Sequence, residues 1–138
     1  MIEKKGSAKW QGSLKEGKGR VMTETGALDA PYGFRQRFEG EAGTNPEEIL
    51  GAAHSACFSM ALANILAQAD MTPDSIETTA TVTLDASSLT ITKVHLDVRA
   101  KIANADEAAF QDAAKKAKEG CPVSKLFKAD ISMDAKLA

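Results

Sequence analysis

Cys57 and Cys121 are the chain's two cysteines, and the chemistry they could support depends on how each thiol is held. A free thiol with a pKa near 8.5 is only about 3% thiolate at pH 7, and burial lowers that fraction further. Cys57 lies in NPEEILGAAHSACFSMALANILAQA (Asn45 to Ala69), which carries no Asp, Glu, Lys or Arg from Ile49 to Gln68. More than two turns from the start of that helical pattern, it gains little from the helix dipole, so a reactive Cys57 needs a cation from elsewhere. Arg35 and Arg37 are the local candidates, and an arginine keeps its charge on burial. Without such help Cys57 reads as an inert small core residue. Cys121 precedes Pro122 and a short helical pattern, so its sulfur is expected at a helix N-cap, where free N–H groups favour thiolate. It would make a good resolving thiol, or it is simply a capping residue. The separation of the two cysteines excludes a CxxC motif.

His54 stands three residues before Cys57 on one helical face, which leaves three readings open. It could form a Cys/His nucleophile pair, an HxxC metal half-site with Cys121 and His95, or neither, as a satisfied histidine. Glu47 and Glu48 are helix-start residues first. Glu47 lies ten residues before Cys57, roughly 15 Å along a helix, so any service to that thiol must run through a long arginine or come from a second subunit.

The elements that must position these residues follow from periodicity. Asn45, Pro46 and Glu48 read as a capping box opening a helix from Asn45 to Ala69, which Pro73 forbids from continuing. Its all-apolar surface should be wrapped on most sides, enclosing Cys57. Gly51, Ala52, Ala53, Ala56, Ala61 and Ala63 would let another helix approach. Lys5 to Gln11 and Arg20 to Thr25 predict an N-terminal hairpin, and alternation in Gly33 to Glu39 predicts a third strand with Arg35 and Arg37 on one face. Strands over Ile76 to Asp85 and Leu89 to Ile102 should pair antiparallel. The parity switch in the second predicts a β-bulge near Thr92 and Lys93. Asp106 to Glu119 is an amphipathic helix with Gly120 after it, Val123 to Lys128 a short helix, and ISMDAKL a last strand.

The 138 residues suit a single α+β domain, 1–138, or one subunit of a small oligomer. A net charge of -2 gives no nucleic-acid signal. The charged opening MIEKKGSAKW lacks an apolar leader, and no run approaches the roughly 18 uninterrupted apolar residues of a membrane span, so the expectation is a cytoplasmic protein.

The runs RFEGEAGTNPEEILGAAHSACFSMAL (Arg37 to Leu62) and GCPVSKLFKA (Gly120 to Ala129), with YGF at Tyr32, resemble the OsmC (osmotically inducible protein C) family within the wider OsmC/organic hydroperoxide reductase group. The likeness spans nearly the whole chain. It implies antiparallel sheets around a long central buried helix, in an intertwined homodimer with sites at the subunit interface. It also implies a thiol peroxidase acting in oxidative and osmotic stress defence, with no cofactor and no metal. Matched motif by motif, Cys57 corresponds to the peroxidatic cysteine, Cys121 to the resolving cysteine, Glu47 to the acid of NPEE, and Arg37 to the arginine before FEGE. In the hydroperoxide reductase branch the arginine comes from the earlier hairpin, where Lys18 and Arg20 stand here. An apolar wall of Phe58, Met60 and Leu50 would suit organic hydroperoxides, and the family suggests a dithiol reductant such as a lipoylated protein. The alternatives are a non-enzymatic protein binding apolar ligands and a zinc-binding protein.

Overall fold

The computed structural model describes all residues from Met1 to Ala138, which fall into two compact units, Met1–Ile49 and Leu50–Ala138. In the first unit, β1 (Gly6–Gln11) and β2 (Lys18–Thr23) form the expected hairpin, with Ala8 opposite Val21. A third strand, β3 (Asp29–Tyr32), adds antiparallel to β2. The expected strand over Gly33 to Glu39 is instead a helix, α1 (Phe34–Phe38). FRQRF satisfies both periods, since its phenylalanines are two alternations apart and also at i and i+4. The helical solution places the two rings 4.9 Å apart. Arg35 and Arg37 consequently do not share a face: Arg35 pairs with Glu41 and Arg37 with Glu47.

Helix α2 (Pro46–Gln68) starts where the capping pattern predicts, with the Glu48 N–H donating to Asn45 Oδ1 at 2.8 Å. The reciprocal half of the box is absent, because the Glu48 carboxylate accepts from Thr44 Oγ1. In the second unit, β4 (Ser75–Asp85) and β5 (Thr90–Lys101) pair antiparallel. The register slips between Thr83 and Leu84, which face Lys93 and Ile91, so Thr92 is the extra residue of the expected bulge. The slip puts Val94, Leu96, Val98 and Ala100 on one fully buried face. Helix α3 (Glu107–Gly120) is capped by Asp106, and the short α4 (Pro122–Leu126) by Cys121. The last strand, β6 (Asp130–Leu137), lies parallel to β5. The sheets are therefore not antiparallel throughout, because the helical connection through α3 and α4 returns the chain in the direction of β5.

The core of this unit joins β5 to Phe58, Leu62 and Leu66 of α2 and to Phe110, Ala113, Ala114 and Ala117 of α3. Each of the three large α2 side chains contributes about 1.5 to 3 kcal/mol by burial. Within this chain the helix is covered along one side. Only the stripe Gly51, His54, Phe58, Leu62 and Leu66 is buried, whereas Ala52, Ala53, Ala56, Met60 and Ala67 are exposed, Met60 at 75%. Gly51 admits a strand and not a second helix, since a Cβ there would sit 2.9 Å from the Ala80 carbonyl oxygen. By length and composition α2 would also pass for a membrane-crossing segment, despite its scattered Ser, Asn and His, although one face of it is committed to the core.

Candidate functional site

The second unit brings Cys57 and Cys121 to the first turn of α4. Cys57 is half-buried, less enclosed than its apolar helix suggests, while Cys121 is fully buried, and both are free thiols. The Ser124 N–H reaches Cys121 Sγ at 3.4 Å, as expected of an N-cap, and the preceding Val123 N–H lies near enough to Cys57 to favour its thiolate. Burial is the main influence on the Cys57 thiol and pushes its pKa above the ordinary thiol value. The Val123 N–H opposes it, while the hydrogen bond and charge of Cys121 reinforce it. None of these groups is a cation. The Val123 contact is a functional feature that sequence reasoning missed. Its only signal was Pro122, whose place at the start of the helix leaves the next amides free.

His54 is fully buried and does not pair with Cys57. Its Nε2 lies 2.7 Å from Ser124 Oγ, and Ser124 Oγ lies 3.3 Å from Cys121 Sγ. A continuous polar chain thus runs from His54 through Ser124 to Cys121. The ring also meets Phe127 edge-on at 5.2 Å, while its Nδ1 has no hydrogen-bond partner. Burial lowers the His54 pKa, so the ring is neutral at pH 7. The alternative reading of a metal half-site finds no support, because no three His, Cys, Asp or Glu residues are placed to hold an ion. His95 pairs with Ser132 and Asp134 instead.

Arg37 and Glu47 belong to the first unit. Arg37 Nε donates to both carboxylate oxygens of Glu47 at 3.1 Å, and Nη2 donates to Oε1 at 2.6 Å. This multidentate pairing fixes the guanidinium plane, and its stacking on Phe38 at 5.4 Å restrains it further. Arg20 is engaged by Asp29. Beside Arg37 lies an apolar hollow of about 250 Å³, lined by Trp10, Leu14, Tyr32, Phe34, Phe38 and Pro46. The wall expected from Phe58, Met60 and Leu50 does not exist as one surface. Phe58 faces the core, and Met60, two residues on, points the opposite way.

The OsmC-like protein family model matches residues 38–136, a span that contains both cysteines and Glu47. The chain belongs to the OsmC family. Among OsmC relatives, Peroxiredoxin OsmC of Escherichia coli is 52% identical over 139 residues, covering 99% of this chain and 97% of that protein. The Organic hydroperoxide resistance protein-like 1 of Staphylococcus saprophyticus is 32% identical, covering 87% of this chain and 86% of that protein. The fold is shared with an OsmC-like protein of Vibrio cholerae, with a TM-score of 0.79 at 16% identity, covering 99% of this chain and 100% of that one. It is shared too with the organic hydroperoxide resistance protein OhrB of Bacillus subtilis, with a TM-score of 0.66 at 24% identity over 97% and 98% of the two chains.

Proposed function

We propose that this OsmC-family chain is a thiol peroxidase that reduces organic hydroperoxides to alcohols, working as a homodimer in stress defence. The observation that supports the proposal is that Cys57 and Cys121 meet at the first turn of α4 as neighbouring free thiols, close enough for Cys121 to influence the Cys57 thiol though not at bonding distance. The half-exposed thiol is the attacking group, and the buried thiol beside it is the resolving group.

The Cys57 thiolate attacks the terminal hydroperoxide oxygen, the O–O bond breaks, and Cys57 becomes a sulfenic acid as the alkoxide leaves and takes a proton to give the alcohol. Cys121 then attacks the sulfenic sulfur, an S–S bond replaces the S–O bond, and water departs. This protects Cys57 from over-oxidation to sulfinic acid. A dithiol such as a lipoylated protein returns the disulfide to two thiols and is itself oxidised.

The raised pKa of Cys57 means that this unit alone does not supply a thiolate at neutral pH. A charge from outside is required. Arg37, held by Glu47, is suited to supply it and to steady negative charge developing on the peroxide oxygens. We assign that arginine to the second subunit, because the exposed apolar stripe of α2 calls for a covering surface and an isologous pairing yields two equivalent sites. The apolar hollow beside Arg37 favours a substrate with an alkyl or aryl tail over hydrogen peroxide.

The test is peroxide consumption with a dithiol reductant. Cumene or t-butyl hydroperoxide should be consumed faster than hydrogen peroxide, and Cys57→Ser should abolish turnover. Activity retained in Cys57→Ser would rule out the thiol mechanism, and a parent that consumes no peroxide would favour a protein that only binds apolar ligands.

A further inference from the structure

We propose that Ser124 and His54 form a proton relay that takes the thiol proton of Cys121 as it attacks the oxidised Cys57. The inference rests on the two-cysteine reading above and deepens it. Cys121 is fully buried, so no water reaches its sulfur to remove the proton, yet it must give that proton up to become a nucleophile. The hydroxyl of Ser124 touches both its Sγ and His54 Nε2.

The histidine is in the state an acceptor needs. Burial depresses its affinity for a proton, so at neutral pH the ring is neutral with one free lone pair. With Nε2 accepting the Ser124 O–H, Ser124 Oγ is free to accept the Cys121 S–H. In the transfer, the thiol proton moves to Oγ as the hydroxyl proton moves to Nε2. The reversed chain, Nε2–H to Oγ and O–H to S⁻, then solvates the thiolate together with the Ser124 N–H. The hydroxide released when the S–O bond of the half-exposed Cys57 breaks takes a proton from solvent to give water, and His54 returns the proton it holds to solvent. No net proton is gained and no further oxidant or reductant enters.

The only hydrogen bond of the buried ring is the one to Ser124, so the proton that Nε2 can take has Ser124 as its source. His54 does not touch Cys121, so it acts through Ser124 and is a positioning residue in the resolving step. No such chain extends from His54 to Cys57, so the oxidation step should not depend on it.

The experiment resolves the two steps in the full-length protein by rapid quench, trapping sulfenic acid with dimedone and counting disulfide by mass. In the parent, disulfide formation should show a curved proton inventory in mixed H₂O and D₂O, from two protons moving together. Ser124→Ala and His54→Gln should each slow disulfide formation about 100-fold, with sulfenic acid forming at the parental rate and the curvature lost. The glutamine keeps a hydrogen bond to Ser124 but cannot take a proton. Parental resolution in His54→Gln would overturn the relay, as would equal slowing of both steps, which marks a structural effect. A parent that consumes peroxide without forming any disulfide would sink the two-cysteine reading itself, a different result from a disulfide that forms at the parental rate in both variants.

Discussion

Cys57 and Cys121 meet at the first turn of α4, where the Ser124 N–H donates to Cys121 and the neighbouring Val123 N–H favours the Cys57 thiolate. The arrangement couples the thiols in one direction. Any negative charge on Cys121 disfavours charge on Cys57, and the nearby thiol of Cys121 also favours the thiol form of Cys57.

Removing that coupling should lower the Cys57 pKa. In Cys121→Ala both contributions vanish while the Val123 N–H remains, so alkylation of Cys57 by iodoacetamide at a fixed neutral pH should run faster than in the parent. A slower reaction would mean that Cys121 assists the Cys57 thiolate.

His54 makes a second pH-dependent prediction. Its folded pKa lies below the ordinary 6.5, so as pH falls the unfolded chain takes up the proton first. The stability this histidine contributes is therefore complete above about pH 6.5 and is lost as pH drops towards the lowered folded value. Denaturant titrations should find the parent losing stability as pH falls below about 6.5, with a shallower decline in His54→Gln. Parallel slopes would show that His54 titrates alike in both states.

At Gly51 the sheet comes too close for a side chain. A methyl there meets the backbone oxygen of Ala80 at 2.9 Å, and a carbonyl in a paired strand cannot rotate away. The helix gains about 1 kcal/mol of propensity from Gly→Ala, against an overpacking cost of about 1 to 3 kcal/mol. Gly51→Ala should be destabilising by up to about 2 kcal/mol in chemical denaturation, and a stabilised variant would show that β4 yields.

These positions also mark where the sequence was informative. Local signals identified the Asn45 cap, the start of α3 near Asp106 and the bulge at Thr92, because each depends on residues within one turn or one strand pair. The parity switch was decisive because a register error would have exposed Val94 to Ala100. FRQRF misled because five residues fit both periods, and a tertiary contact, Arg37 to Glu47, accompanies the helical choice. The bond from His54 to Ser124 spans 70 positions and left no local trace, although both residues stood in motifs that had been singled out. The exposure of one α2 face was equally invisible, since an all-apolar composition does not say which partner covers which side.

That uncovered face leads to the last prediction. Met60 is 75% exposed, so Met60→Asp should leave the isolated chain's core undisturbed, yet a buried carboxylate in a dimer seam would be costly. Sedimentation should show the parent as a dimer and Met60→Asp as a monomer, with activity lost if the partner supplies Arg37. Mixing chains asks the question directly. An Arg37→Ala chain keeps its Cys57 but lacks the arginine, and a Cys57→Ser chain is the converse, so each homodimer should be inactive or reduced by about 100-fold or more. If each site combines Cys57 of one subunit with Arg37 of the other, a heterodimer holds one intact site and one doubly defective site. Random reassociation then restores about a quarter of parental activity, since half the dimers are mixed and each has one working site of two. If both residues come from the same chain, every site in the mixture carries a defect and no activity returns. A parent protein that sediments as an active monomer would refute the shared site outright.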